Sequence, residues 1–315
     1  MMKTLLQSIG NTPLVQLPFD TKGKIFAKLE YLNPGGSIKD RSALFMVEEA
    51  ERLGLLKPGG TLIEATSGNQ GIAIAMIGAI KGYKVIITVP ERISMEKRGA
   101  MEAYGAKLVV CQSSPSIDDP MNYRNYAKRI QAETPNSFMP NQYFNLSNPM
   151  AHYTYLGPEI WKQTEGKITH FIAAAGTGGT VSGVGRFLKE KNPNIKIIAV
   201  DVAPSFHATK GKPTPYVLEG IGIDFDTPCL NEKVIDDFIN IPDDEGLSMM
   251  KSMARTYGFL VGTASSAACA AIHRLMGSLT ENDLVVTIFS DSGRSYLSKK
   301  YWEAEPILQP VYKAA

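Results

Sequence analysis

The sequence predicts an α/β protein with two doubly wound parallel-sheet lobes and a ligand-binding cleft between them. Short apolar runs alternate with helix-like runs for most of the length, and glycine-rich loops join several of them. The alternation falls into two clusters, before and after about residue 146. We therefore expect two lobes, each with its own core.

The first cluster contains three helix-like and three strand-like runs. Short β-branched runs bounded by Gly or Pro predict buried parallel strands, and longer runs with apolar residues at helical spacing predict helices. In chain order these are the helix SALFMVEEAERLGLL, the strand TLIEA, the helix GIAIAMIGAIKG, the strand KVIITVP, the helix SMEKRGAMEAYGA and the strand KLVVC.

The second cluster repeats this alternation. Its runs are the strand THFIAAA, the helix TVSGVGRFLKEK, the strand KIIAVDV and the strand DLVVTIFS. The last strand leads into DSGRSYLSKKYW, where we expect a C-terminal helix capped by Ser292. In such folds ligands bind at the loops that follow the carboxyl ends of the strands.

The composition is that of an ordinary globular protein of 315 residues, 44% hydrophobic and 20% charged. The net charge of +2 predicts no nucleic-acid partner, and no uncharged apolar run has membrane-spanning length. The N-terminal run meets Asn and Pro too early for a secretory signal. Three scattered cysteines favour a reducing cytoplasm, and four histidines without ligand spacing predict no metal site.

Lys39, in the run NPGGSIKDR, lies at the mouth of the first predicted helix. A helix N-terminus disfavours an ammonium group, so this position suggests a lysine kept for its amine chemistry. In an apolar pocket the pKa of the amine would fall below its usual value, which makes it a better nucleophile. An ordinary surface lysine is the alternative.

The run AAAGTGGTVSGVG predicts an anion cradle. Its glycines allow successive backbone N–H groups to point into one concavity, and a helix N-terminus follows at once. The loop lacks the lysine of a P-loop, and Asp201 near the end of the next strand leaves a dinucleotide site open. A tight turn used only for packing is the other alternative. The cradle residues are Gly176, Thr177, Gly178, Gly179 and Thr180.

The loop EATSGNQG carries three polar side chains, Thr66, Ser67 and Asn69, where a helix cap needs one. We expect this loop to hold a carboxylate or another small anion. Gln142 in PNQYFN and Ser292 in SDSGRSY are weaker candidates on the same rim.

An amine, a phosphate cradle and a carboxylate-binding loop together suit pyridoxal 5′-phosphate, which needs a lysine, a phosphate clamp and a partner for its ring nitrogen. A nicotinamide dehydrogenase using the glycine-rich loop remains an alternative. So does a non-catalytic protein that only binds partners.

The sequence closely resembles the cysteine synthase and cystathionine β-synthase family of pyridoxal-phosphate enzymes. The resemblance covers Ile9 to about Leu297 and implies their fold type II, with the cofactor in the cleft between the two lobes. The motifs, in family order, are IGNTPLV, KLEYLNPGGSIKDR, TSGNQGIA, PNQYFN, HYTYLGPEIW, GTGGTVSGVGRFLK and EGIG.

The resemblance implies a role for each matching position. Lys39 would bind the cofactor covalently and move the substrate Cα proton, and Asn69 would hydrogen-bond the cofactor's 3′-oxygen. The cradle residues of 176–180 would hold the phosphate, and Ser292 would face the pyridine nitrogen. The substrate would be bound by Thr66, Ser67, Gln70, Gln142 and Gly220.

Three positions depart from the family pattern. Gln70 replaces the threonine of TSGNTG, which would alter substrate binding, and Ser266 stands where glycine is common. Asp224 follows GIG as in cystathionine β-synthases. It is a candidate catalytic residue that would polarise a hydroxyl or activate a water or thiol, with a capping or surface aspartate as the alternative.

The activity implied by the resemblance is β-replacement: cysteine from O-acetylserine, or a related activated serine, and sulfide, through α-aminoacrylate. The alternatives are cystathionine formation from serine and homocysteine, and cysteine β-elimination that releases hydrogen sulfide. The resemblance also implies a homodimer, in which each chain has a larger cofactor-binding lobe over 1–36 and 147–315. The smaller lobe over 37–146 would be mobile and close on the substrate carboxylate. Since the chain starts and ends close to its motifs, we expect neither a haem segment nor a C-terminal regulatory module.

Overall fold

Two sheets organise the fold. The computed structural model describes residues 3–112 and 119–308. Its strands, in chain order, are β1 (Leu14–Gln16), β2 (Lys24–Leu29), β3 (Thr61–Ala65), β4 (Lys84–Pro90), β5 (Lys107–Cys111), β6 (Ser137–Phe138), β7 (His170–Ala174), β8 (Lys196–Val202), β9 (Asp237–Ile241) and β10 (Leu284–Phe289). A six-stranded sheet has the order β1-β2-β10-β7-β8-β9, and a four-stranded sheet has the order β5-β4-β3-β6.

Parallel pairing dominates both sheets. Among the described strands, only β1 and β2 pair antiparallel, and they do so at the sheet edge. The central strand β10 pairs in parallel with β2 on one side and β7 on the other. All residues of β8 but the first are buried, as expected for a parallel strand whose two faces are both covered. The predicted α/β class with parallel sheets is therefore confirmed.

Helices cover both sheets. They are α1 (Lys39–Arg52), α2 (Asn69–Lys81), α3 (Met95–Ala103), α4 (Tyr123–Glu133), α5 (Ser147–Ala151), α6 (Gly157–Gln163), α7 (Gly179–Lys191), α8 (Asp243–Tyr257) and α9 (Thr263–Leu275). One turn of π-helix, His152–Leu156, joins α5 to α6. None of these described helices combines the length and apolar character that crossing a membrane requires.

The predicted C-terminal α-helix is wrong. Within the described residues, this segment forms two short 3-10 turns, Gly293–Tyr296 and Lys300–Glu303. Ser292 caps the first turn by accepting a hydrogen bond from the Arg294 N–H. The backbone here is held in isolated bridges to Ser37 and Val261, and these long-range contacts prevail over the local helical pattern.

The core follows the side-chain alternation of the strands. In β8, Ile198 and Val200 pack into a cluster on one face of the six-stranded sheet, while Ile197 and Ala199 pack into a cluster on the other. The four-stranded sheet has its own cluster, which includes Leu62 and helix residues of α1 and α2. Two separately packed sheets thus meet at the carboxyl ends of their strands, where the site is expected.

Candidate active site

The loops that follow β3, β7 and β10 line one site with two parts. The larger part, the outer cleft, has a volume of about 410 Å³ and includes Thr66, Gln142 and Asp224. A smaller part of about 40 Å³, the inner recess, includes Ala264, Ser290 and Asp291. Both parts share the residues Lys39, Asn69, Gly176, Thr177 and Gly220.

Most of the site residues predicted from the sequence come together here. Besides the shared five, the outer cleft is lined by Thr66, Ser67, Gln70, Gln142 and Asp224, and the inner recess by Gly178 and Thr180. Gly179 opens α7 directly behind the recess. Ser292 lines neither part, because its hydroxyl donates to the Leu260 carbonyl at 3.3 Å and caps the following turn.

Lys39 is the first residue of α1, and its amine has no hydrogen bond or ion pair with the residues that the structure describes. Burial lowers its pKa to about 8, and the neighbouring side chains of Cys229, Asp291 and Glu64 oppose that shift. A lysine with this pKa is partly neutral near physiological pH. Its amine can therefore act as a nucleophile or a base.

A buried ionic network fixes the helix that carries Lys39. The Arg41 guanidinium donates to Glu30 with Nε–Oε2 at 2.6 Å and to Glu159 with Nη1–Oε1 at 2.7 Å. Lys28 pairs with the same Glu159 at 2.8 Å. The network joins β2, α1 and α6, so the position of Lys39 depends on residues that never touch the cleft.

The glycine loop forms a tight concave backbone. Gly178 has φ of +80°, and a Cβ there would lie 2.7 Å from the Leu230 Cα. A Cβ on Gly176 would lie 3.0 Å from the Gly220 carbonyl oxygen. The Thr177 hydroxyl accepts from the Asn148 Nδ2 at 3.0 Å, which orients the loop at the start of α7. Backbone N–H groups at a helix start suit a phosphate.

Thr180 has a partner that the sequence did not indicate. Its hydroxyl lies 3.3 Å from the Nε2 of His152, which is fully buried in the π-helical turn. Burial lowers the pKa of His152 well below its usual value, and the nearby Lys39 and Arg41 charges act in the same direction. A neutral imidazole therefore supports the cradle.

The floor of the inner recess is polar. Asn69 Nδ2 and the Tyr296 hydroxyl both donate to Asp291 Oδ2, at 2.7 and 2.5 Å. The other oxygen, Oδ1, is buried without a hydrogen-bond partner among the described residues, and burial raises the pKa of this carboxyl group. Ser290 lies beside it and donates its N–H to the Ser265 Oγ at 2.9 Å.

The outer cleft offers further unpaired polar groups. Gln70 is only 1% exposed, yet both its amide oxygen and its amide nitrogen lack a hydrogen-bond partner among the described residues. Asp224 accepts from the Tyr216 hydroxyl at 2.8 Å, and burial raises the pKa of Asp224. A buried amide without partners is costly unless a ligand satisfies it.

These features fit pyridoxal 5′-phosphate. A reactive amine, a glycine cradle that a side chain would fill, and a buried carboxyl oxygen that the described residues leave unpaired lie around one recess. Those are the groups that bind an aldehyde, a phosphate and a heteroaromatic ring. The described residues contain no group of three His, Cys, Asp or Glu side chains that could hold a metal ion.

Comparison with known proteins agrees with this fit. Residues 5–291 match the family model described as pyridoxal-phosphate dependent enzyme. The chain belongs to this family, which decides for pyridoxal phosphate and against the nicotinamide alternative.

Among its relatives are proteins of two named activities. A cysteine synthase of Staphylococcus aureus is 42% identical over 93% of this chain and 95% of that protein. A cystathionine β-synthase of Apis mellifera is 45% identical over 98% of this chain, which spans only 64% of that protein's length. The solved O-acetylserine-dependent cystathionine β-synthase of Helicobacter pylori has 37% identity and a TM-score of 0.88, with 96% of this chain and 99% of that chain covered.

Proposed function

We propose that this protein catalyses β-replacement on an L-serine-type amino acid, with a sulfur compound as the nucleophile. The leading reaction is the formation of cysteine and acetate from O-acetylserine and sulfide. The observation that carries the proposal is the amine of Lys39, with its lowered pKa, between the glycine cradle and the polar outer cleft.

Residues of the inner recess would hold the cofactor. When bound, pyridoxal 5′-phosphate supplies an aldehyde that condenses with amines and a ring that withdraws electrons from the substrate Cα. The backbone and hydroxyls of the 176–180 loop would bind the phosphate, Asn69 would bind the ring oxygen, and Lys39 would bind the aldehyde carbon. For the ring nitrogen we expected Ser292, but in the loop after β10 it is Ser290 and Asp291 that line the recess.

Residues of the outer cleft would hold the substrate. The polar groups of Thr66, Ser67, Gln142 and the Gly220 loop would orient its carboxylate, and Gln70 would contribute its unpaired amide. Lys39 would take the proton from the substrate Cα, because a largely buried amine with a pKa near 8 exchanges protons readily at neutral pH. Asp224 would act on the hydroxyl or thiol at the far end of the cleft, where Tyr216 positions it.

A second candidate function keeps the donor and changes the nucleophile. Condensation with homocysteine, which gives cystathionine, is favoured by two relatives named for that activity. It is also favoured by Arg124 of the outer cleft, whose Nε has no hydrogen-bond partner among the described residues. Cysteine β-elimination to hydrogen sulfide requires the same groups on the donor side.

The test is product analysis on the holoenzyme. O-Acetylserine, serine and cysteine are supplied in turn as donor, with sulfide or homocysteine as nucleophile, and products are identified by mass spectrometry. We expect a visible absorbance change with each competent donor, and no product from Lys39→Ala. Lys57→Ala, a change at an exposed lysine outside the site, serves as control. Wild-type protein that makes no β-replacement product from any donor would contradict the proposal.

We further propose a cytoplasmic homodimer with a mobile smaller lobe over 37–146. Three free, buried cysteines support a reducing compartment, and exposed apolar side chains at Phe144, Leu146 and Tyr155 support a subunit contact. Light scattering of the purified protein tests the dimer. Small-angle scattering with and without donor tests the closure.

A further inference from the structure

Arg124, near the start of α4, stands out among the cations of the outer cleft. Its guanidinium lies over three aromatic rings, with distances to the ring centroids of 5.2 Å for Tyr123, 5.1 Å for Tyr143 and 4.8 Å for Phe225. Such contacts hold a guanidinium in place without neutralising its charge. Arg124 is therefore a fixed positive charge on the wall of the cleft.

The described residues leave this charge without a carboxylate partner. The structure gives Arg124 no ion pair with them. Its guanidinium has a hydrogen bond with the Tyr143 side chain, but its Nε is buried with no hydrogen-bond partner. Two other cations of the cleft, Lys97 and Lys299, each pair with Glu219 at 3.0 Å. The acid on the Arg124 side, Asp224, is occupied by the Tyr216 hydroxyl. A buried guanidinium nitrogen without an acceptor is a specific demand for an anionic ligand.

The donor amino acid does not meet this demand in our assignment. Its carboxylate is bound by the loop of Thr66 and Ser67 and by Gln142, while Arg124 is carried by another helix. The cleft volume of about 410 Å³ leaves room for a second small molecule beside a three-carbon amino acid. Sulfide carries no carboxylate and would leave the Arg124 Nε without an acceptor.

We propose that Arg124 is a specificity-determining residue that binds the α-carboxylate of an amino-acid thiol, so that among thiol nucleophiles the protein prefers those that carry this carboxylate. The inference rests on the proposed β-replacement. In that step the thiol sulfur bonds to the donor Cβ as the bond from Cβ to the leaving oxygen breaks. The thiol proton passes to a base in the cleft, for which Asp224 is the candidate, and the leaving group departs with its electron pair.

The test compares two nucleophiles that differ only in the carboxylate. These are L-homocysteine and 3-aminopropane-1-thiol, each used with O-acetylserine and the holoenzyme, with sulfide as a third nucleophile. We expect wild-type protein to have a KM for homocysteine about 10-fold or more below that for the aminothiol. Arg124→Gln should raise the homocysteine KM by about 10–100-fold, the loss expected for a charge-assisted hydrogen bond. It should change the KM for the aminothiol and for sulfide by less than about 2-fold.

Arg129→Gln is the matched control. Arg129 lies on the same helix, with its guanidinium 4.3 Å from the Tyr126 ring centroid, but it is exposed and does not line the cleft. It should leave all three KM values unchanged. Arg124→Lys keeps the charge but not the planar fork, and should recover part of the homocysteine preference. Unfolding of each variant in denaturant tests whether it is folded.

The outcomes separate the two proposals. If Arg124→Gln raises the KM for both thiols and for sulfide equally, Arg124 has a structural role and the inference is overturned. A wild-type protein with equal KM values for homocysteine and the aminothiol would also overturn it. Absence of product with every nucleophile in the wild type would instead overturn the proposed β-replacement itself.

Discussion

Asn69 donates from Nδ2 to Asp291 Oδ2 over 2.7 Å, and this bond joins the first residue of α2 to the loop after β10. The two residues follow strands of different sheets, β3 and β10, so neither half of the fold alone forms the inner recess. Tyr296 donates to the same oxygen and holds it from the other side. The recess floor is therefore a polar contact between the two halves of the fold, and it forms only when the two sheets are correctly docked.

Loss of the Asn69 amide should weaken both the docking and the cofactor site. Asn69→Ala removes one of the two donors to a buried carboxyl group, which costs about 1–3 kcal/mol in free energy of unfolding. We expect pyridoxal phosphate to bind about 10-fold or more weakly, measured by equilibrium titration of the cofactor-free protein. Asn194→Ala, an exposed change far from the recess, is the control. If both variants bind pyridoxal phosphate with equal affinity, Asn69 does not contribute to the cofactor site.

Lys39 should lower the free energy of unfolding of the cofactor-free protein, by an amount that depends on pH. Its pKa of about 8 in the fold lies below 10.5, the value for an unperturbed lysine, so the unfolded chain binds more protons between these pH values. Stability of the parent therefore rises with pH across this window, and below it the ammonium destabilises the fold by up to about 3 kcal/mol.

Lys39→Met should accordingly raise the free energy of unfolding at pH 7, with a gain that shrinks as the pH approaches 10.5. Urea denaturation of the cofactor-free protein at several pH values measures this. Lys57→Met, at an exposed position, should show no such pH-dependent gain. A gain that stays constant with pH would mean that burial of the methionine, and not removal of the charge, is responsible.

Local sequence patterns were sufficient to predict the elements and loops that line the candidate site. The buried strands such as TLIEA and KIIAVDV are short, mostly apolar runs, and the glycine loop needs its residues in consecutive positions. Both signals are therefore contained in short segments. Lys39 could be singled out because its place at a helix start conflicts with the helix dipole.

The remaining parts of the site depend on contacts between distant segments. Arg41 and Glu159 are 118 positions apart, and no local pattern relates them. Arg124 occurs in the run RNYAKR, which is typical of an exposed helix, and it meets Tyr143 and Phe225 only in the folded chain. The prediction of a C-terminal helix failed for the same reason, because Asp291 and Ser292 at its start are bridged to the distant residues Ser37 and Val261.

The network around Arg41 should be essential for the fold. Arg41→Ala leaves Glu30 buried without its strongest partner, and breaking such a pair costs about 3–5 kcal/mol. Burial opposes ionisation of Glu159, but hydrogen bonds from Arg41 and Lys28 prevail and lower its pKa to about 2. Its stabilising contribution is therefore present above its ordinary value of 4.5 and is lost as the pH falls towards 2.

Thermal or urea unfolding between pH 7 and about pH 2.5 measures both effects. The parent should lose stability steeply below pH 4.5, whereas Arg41→Ala should be less stable at pH 7 and change less over the acid range. Arg98→Ala, which removes an exposed pair with Glu102, should cost less than about 1 kcal/mol. Parallel acid profiles for the parent and Arg41→Ala would show that this network does not set the acid stability.

Gly178→Ala should damage the cradle. The residue has φ of +80°, and the new Cβ would lie 2.7 Å from the Leu230 Cα, a backbone atom that cannot swing away as a side chain would. We expect a loss of about 1–3 kcal/mol in free energy of unfolding and at least about 10-fold weaker binding of pyridoxal phosphate. Urea denaturation and equilibrium titration of the cofactor-free protein measure the two effects.

Gly99→Ala is the matched control for this change. Gly99 is a helical glycine whose φ is not in the left-handed range, and beyond its own stretch of helix no atom lies within 4 Å of the position that an added methyl group would take. The control should therefore be unchanged or stabilised by about 0.5–1 kcal/mol. A Gly178→Ala protein that unfolds and binds the cofactor like Gly99→Ala would show that the 176–180 loop does not need its compact backbone to hold a phosphate.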